Sequence, residues 1–162
     1  MSEAGRTIRM EVLRYHPEQD DAPHLESFEV PFAEETSVLE GLQYVKDRLD
    51  GSLVFRWSCR MAVCGSCGVM IDGVPQLSCK AFLRDYRDGM RVEALEHFPI
   101  ERDLAVDQSD VLEKMAAARV WHLPAAPSRL EDGPRRQTPA ELAHFEQFSN
   151  CINCMLCYAA CP

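Results

Sequence analysis

The sequence predicts an α+β fold, β-rich over residues 1–102 and helical over residues 103–162. Three observations predict it. Strand-type alternation recurs through the first part, one strongly capped helix interrupts it, and beyond Arg102 helix starts appear with no further strand pattern. With 162 residues, 46% of them hydrophobic, the chain can build one domain or two small ones around apolar cores.

Residues 7–14 set Ile8, Met10 and Val12 against Arg9, Glu11 and Leu13, the period of a half-buried strand. Residues 15–23, rich in Pro and Asp, read as a loop. Phe28, Val30 and Phe32 then alternate with Glu29 and Pro31 as a returning strand, and a proline without an N–H belongs at a strand end or a sheet edge. Ser37-x-x-Glu40 is a capping box. Val38, Leu42, Val45 and Leu49 follow at helical spacing until Asp50-Gly51, which makes a helix of about three to four turns. Val69 and Ile71 lead into the turn dipeptide Asp72-Gly73, and Val74 and Leu77 lead out of it. Met90, Val92 and Ala94 supply a last strand, closed by residues 96–99 with their proline. A strand pair, a helix across it, a cysteine loop and further short strands follow the order of a β-grasp domain, whose boundary falls near Arg102.

In the second part Ser109 is placed to cap a helix running through Val111, Leu112, Met115 and Ala118. Residues 124–139 hold Gly133 among several prolines and charges and read as a linker. Thr138-Pro139-Ala140-Glu141 combines a capping Thr, Pro at the first helical position and Glu at the third. It starts a helix expected to bury Leu142, Phe145 and Phe148.

The eight cysteines fall into two runs that use all of them. Cys59, Cys64 and Cys67 are spaced Cys-x4-Cys-x2-Cys, with Cys79 beyond the hairpin, which is the plant-type ligand pattern of a [2Fe–2S] cluster. Gly65, Ser66 and Gly68 are the expected backbone N–H donors to its sulfurs. Cys151, Cys154, Cys157 and Cys161, spaced Cys-x2-Cys-x2-Cys-x3-Cys and followed by Pro162, match the bacterial ferredoxin run, whose fourth Cys ligates a different cluster from the first three. A structural zinc site is the rival for each run, though zinc is usually held by two short Cys pairs. No His stands beside a Cys at ligand spacing. His16, His24, His97, His122 and His144 therefore read as surface or satisfied residues, and a Rieske centre is not indicated. Met61, Met70 and Met90 read as packing near the clusters and Trp57 as a shield for the first. Arg56 and Arg60, which flank Cys59, either favour the reduced state of a nearby cluster or pair with a carboxylate.

A net charge of −9 disfavours nucleic acid as a partner. No apolar run reaches the roughly eighteen residues that a transmembrane helix needs, and the start M-S-E-A-G-R-T-I-R lacks the apolar core of a secretory signal. So many cysteines with no sign of export argue for metal ligation over disulfides.

The stretches RWSCRMAVCGSCGVM (56–70), SCKAFLRDY (78–86), FPIERDLAVD (98–107) and CINCMLCYAACP (151–162) together resemble the iron–sulfur subunit of fumarate reductase and succinate dehydrogenase. The Trp before Ser58 and a thiol at Cys67 bring the resemblance nearer the fumarate-reducing branch. It covers nearly the whole chain apart from residues 124–137. It implies a ferredoxin-like β-grasp domain holding [2Fe–2S] through Cys59, Cys64, Cys67 and Cys79. It further implies an α-helical ferredoxin domain in which Cys151, Cys154 and Cys157 ligate a [4Fe–4S] cluster and Cys161 a [3Fe–4S] cluster. Such a subunit carries no catalytic residue for the dicarboxylate. It relays electrons between an FAD-containing, dicarboxylate-binding subunit and quinone at membrane-anchor subunits, as a peripheral protein on the cytoplasmic side of the membrane. The alternative is a free-standing ferredoxin-type carrier. Members of that family continue for about another eighty residues, with further cysteines. The sequence is therefore expected to be a fragment whose last sixty or so residues order poorly alone.

Overall fold

The structure is a computed structural model that describes residues 6–121 and 129–162. In chain order it contains β1 (Arg6–Arg14), β2 (His24–Phe32), α1 (Val38–Tyr44) continued by a π-helical turn (Val45–Leu49), β3 (Gly68–Ile71), β4 (Val74–Leu77), β5 (Met90–Glu93), β6 (Ile100–Arg102) and β7 (Ala105–Val106). Then come α2 (Ser109–Ala117), α3 (Pro139–Ala143), α4 (Glu146–Ser149) and α5 (Leu156–Ala159). Two compact units result, residues 1–108 with 152–162, and residues 109–151.

In the first unit five strands lie in the order β2-β1-β5-β3-β4. β1 pairs antiparallel with β2 and parallel with β5, and β3 pairs antiparallel with both β4 and β5. Pro31 lies on β2, an outer strand, where a missing N–H does not break a ladder. The alternation of β1 buries Ile8, Met10 and Val12 on the face covered by α1. α1 starts at Ser37, whose hydroxyl accepts from the Glu40 N–H while Glu40 Oε2 accepts from the Ser37 N–H at 2.7 Å. Gly41 allows the helix to lie close to the sheet, because a Cβ there would stand 2.8 Å from Met10 Cε.

The strand expected over residues 90–94 is present as β5, but it is neither last nor peripheral. It lies between β1 and β3, and the β6–β7 hairpin follows it, partly beyond Arg102. Strands of two and three residues are too short to show alternation, so this hairpin left no pattern in the sequence. Its turn places Asp103 at φ 47°, with the carboxylate buried. Asp103 Oδ1 accepts from Arg14 Nε at 3.1 Å and from the Tyr15 N–H at 2.9 Å, and Oδ2 accepts from the Val54 N–H at 2.8 Å. One carboxylate thus ties the end of β1 to the segment that enters the first cysteine loop, and shared hydrogen bonds make the buried charge tolerable.

In the second unit α2 begins with Ser109 itself, so this serine lies inside the first turn instead of capping it. The Thr138–Glu141 capping box forms as expected, with Pro139 at the first helical position. The helix it starts is nevertheless short. Phe145, at φ −135°, separates α3 from α4, and Leu142 and Phe148 are 40% and 72% exposed where burial was expected. Two helices of about one turn each offer too little apolar surface to cover one another. His122 and residues 124–128 of the expected linker lie outside the described residues, as do residues 1–5 at the start of the chain.

Candidate metal centre

Core packing and the β3–β4 hairpin converge on the first cysteine run. Register pairs Gly68 with Leu77, and the Ser78 N–H donates to the Cys67 carbonyl at 3.0 Å, so Cys79 returns beside Cys67. Segment 78–81 is held in turn by α1, whose first N–H groups, on Val38 and Leu39, donate to the carbonyls of Ala81 and Ser78 at 2.8 and 2.9 Å. Those are helix-end donors that would otherwise have no partner. On the other side the Leu104 N–H donates to the Val54 carbonyl at 3.2 Å. Arg56 reaches the Val106 carbonyl and, at 3.0 Å, Gln108 Oε1. The loop bearing Cys59, Cys64 and Cys67 is therefore clamped at both ends.

The four thiols gather as two pairs. Cys59 lies at Cys64, Cys67 lies at Cys79, and Cys59 is within electrostatic reach of Cys79. Among the described residues no three His, Cys, Asp or Glu side chains are grouped closely enough to hold a lone metal ion. Backbone N–H groups point at the sulfurs: those of Met61 and Val63 at Cys59 Sγ, both at 3.4 Å, and that of Cys59 at Cys64 Sγ, also at 3.4 Å. Ser66 lies near enough to Cys64, and the Ala62 N–H near enough to Cys79, to act on those thiols. Of the three donors expected from sequence, Ser66 lies beside Cys64. Gly65 and Gly68 appear in none of these contacts with sulfur. Arg60 and Ala62 take left-handed turns at φ 60° and 59°, as Gly65 does at φ 72°.

These donors act on the thiols unequally. The Ser66 hydroxyl, with the Cys59 and Ser66 N–H groups, brings Cys64 down to about 6, which favours its thiolate form. Burial first, and then Cys67, pushes Cys79 up to about 11. Two thiol pairs with inward N–H donors suit a small anionic iron–sulfur group, which Cys59, Cys64, Cys67 and Cys79 would hold, and the donor set fits [2Fe–2S].

The neighbours of the loop differ in part from expectation. Trp57 is 42% exposed, with the Arg60 guanidinium 4.6 Å from its ring centre. Arg56 pairs with Glu101 at 3.5 Å, which favours the carboxylate reading of that arginine. Met70 and Met90 are core residues, whereas Met61 is 69% exposed at the loop tip.

The second run is arranged differently. None of the eight cysteines is in a disulfide, and Cys151, Cys157 and Cys161 are exposed while Cys154 is half-buried. Asn153 and Met155 take left-handed conformations at φ 53° and 63°, and α5 follows.

Residues 9–113 match the family described as 2Fe-2S iron-sulfur cluster binding domain. The chain is 54% identical, over 158 residues, to a fumarate reductase iron-sulfur subunit of Escherichia coli O6:H1, covering 97% of this chain and 64% of that protein. It is likewise 54% identical, over 156 residues, to a fumarate reductase iron-sulfur subunit of Mycobacterium tuberculosis, covering 96% and 63%. A chain of the Mycobacterium smegmatis Sdh1 complex in the apo form superposes with a TM-score of 0.82 at 28% identity, over 98% of this chain and 64% of that one. The chain thus spans a little under two thirds of the length of these relatives. Among the described residues no helix is long and apolar enough to cross a membrane.

Proposed function

The chain belongs to the family of 2Fe-2S iron–sulfur cluster binding domains, and on that premise we propose that it is the iron–sulfur electron-transfer part of a quinol:fumarate reductase or succinate dehydrogenase. The observation that carries the reading is the pairing of Cys59 with Cys64 and of Cys67 with Cys79 inside a ring of N–H donors. In it, Cys59, Cys64, Cys67 and Cys79 hold [2Fe–2S], Cys151, Cys154 and Cys157 contribute to [4Fe–4S], and Cys161 to [3Fe–4S]. Such a group, when bound, takes up and releases single electrons.

The protein's own residues have three tasks. The clamped ends of the loop keep the thiols in place, inward N–H groups from Cys59 to Ser66 offset negative charge on sulfur, and the apolar floor from Cys67 to Ile71 keeps water from one side. Chemistry on the dicarboxylate belongs to an FAD-containing partner, and quinone to membrane-anchor subunits beside which this chain sits peripherally. The division into a ferredoxin-like domain over 1–102 and an incomplete helical ferredoxin domain over 103–162 is part of the same proposal. The relatives carry the word subunit in their names, which supports a complex over a free-standing carrier.

Anaerobic reconstitution of the chain with iron and sulfide tests the reading. The expected product is coloured, holds iron and acid-labile sulfide in the ratio of one [2Fe–2S] group per chain, and gives a paramagnetic signal on one-electron reduction. A colourless product without iron or sulfide after reconstitution would overturn it.

A further inference from the structure

Residues 152–162 belong to the same compact unit as the first cysteine loop. Their backbone lies directly on two glycines of that loop. A Cβ at Gly65 would stand 2.6 Å from the Ile152 carbonyl oxygen and 2.8 Å from Cys154 Cα, inside any van der Waals contact. At Gly68 it would stand 3.1 Å from the Cys154 carbonyl oxygen and 3.3 Å from Leu156 Cδ2. Gly65 also needs its φ of +72°, whereas nothing but space requires glycine at Gly68. The segment is held elsewhere too, for Met155 and Ala159 are buried and the Tyr158 ring lies 4.8 Å from that of Phe98.

We propose that Gly65 and Gly68 form a seat for residues 152–162, so that bare backbone contact at Cys154 sets the separation of Cys154, Cys157 and Cys161 from the loop of Cys64 and Cys67. The two glycines are positioning residues. They do not donate to sulfur in the contacts described above; they admit the neighbouring strand of chain where any side chain would hold it off. The purpose of the seat, keeping two sets of iron ligands at fixed range, rests on the function proposed above. The docking itself does not.

The test uses the 162-residue chain, reconstituted and apo, with Gly68→Ala as the main variant and Gly51→Ala, which meets only an ordinary contact, as control. In Gly68→Ala the first-site iron and the amide protection of β1 are expected to persist, while amides of residues 152–162 exchange about tenfold faster. A nitroxide on Cys157, with Cys151, Cys154 and Cys161 replaced by Ser, reports range through its effect on relaxation of the reduced first centre. The contact at Cys154 is through backbone, so Ser keeps it. In this background Gly68→Ala is expected to lengthen that range, and Gly51→Ala to leave it unchanged. Unaltered exchange and unaltered range in Gly68→Ala would overturn the seat. Should Gly68→Ala not fold, exchange in the unsubstituted chain decides: slowed exchange at residues 152–162 is expected, and exchange there as fast as in unstructured peptide overturns the seat. A chain that takes up no iron defeats the proposed function, while exchange in the apo chain still decides the docking.

Discussion

The two cysteine runs contain four thiols each, yet the structure treats them in opposite ways. Cys67 is 3% exposed, and its loop is braced by α1, the β3–β4 hairpin and the β6–β7 hairpin, with backbone N–H groups directed at sulfur. Cys151, Cys157 and Cys161 stand in solvent on one-turn helices and their flanks. The difference teaches that cysteine spacing states which chemistry a segment suits, whereas the packing around it decides whether the thiols are already organised. A preorganised first shell depends on the layer behind it.

The strongest way to break the comparison is at the thiols. Cys67→Ala is expected to abolish [2Fe–2S] uptake, read by visible absorption and iron content, while Cys157→Ala leaves first-site iron unchanged. Equal losses would show that the two runs act as one site. Next come the supports. Leu42→Ala, at a fully buried position of α1, is expected to lower stability by about 2–5 kcal/mol. Phe148→Ala, at a largely exposed position of α4, should stay within about 0.5 kcal/mol. Denaturant unfolding measures both, and a large loss in Phe148→Ala would mean that α4 is covered by something in solution.

The paired helix caps sharpen the contrast further, because Ser37 and Thr138 form the same capping box on α1 and α3. Ser37→Ala is expected to cost about 1 kcal/mol of global stability. Thr138→Ala is expected to leave the global transition where it is, because α3 contributes no buried residue. Equal shifts in the denaturation midpoint would contradict the distinction.

The smallest effect is one of pH. The Ser52 hydroxyl first, and then the Arg14 guanidinium, hold the Asp50 carboxyl well below the usual carboxylate range. A depressed folded value means stability that is complete above the unfolded value of about 4 and is lost as pH falls through the folded one. Asp50→Asn should therefore lower the midpoint at neutral pH and flatten the acid limb of midpoint against pH below about pH 4. Superimposable limbs would remove Asp50 from the bracing of the first region.

Much of this molecule was legible in one dimension. Alternation in β1 and β2, the Ser37 and Thr138 capping boxes and the Asp72-Gly73 turn are local signals, each complete within about a dozen residues, and local backbone chemistry suffices to read them. Tertiary structure decided the rest. It set β5 between β1 and β3, made Asp103 the tie between β1 and the cysteine loop, left Phe148 uncovered, and brought the backbone of residues 152–154 onto Gly65 and Gly68. Those outcomes depend on contacts between residues far apart along the chain. No short pattern encodes them, because which surfaces meet is settled by the burial of the whole core at once.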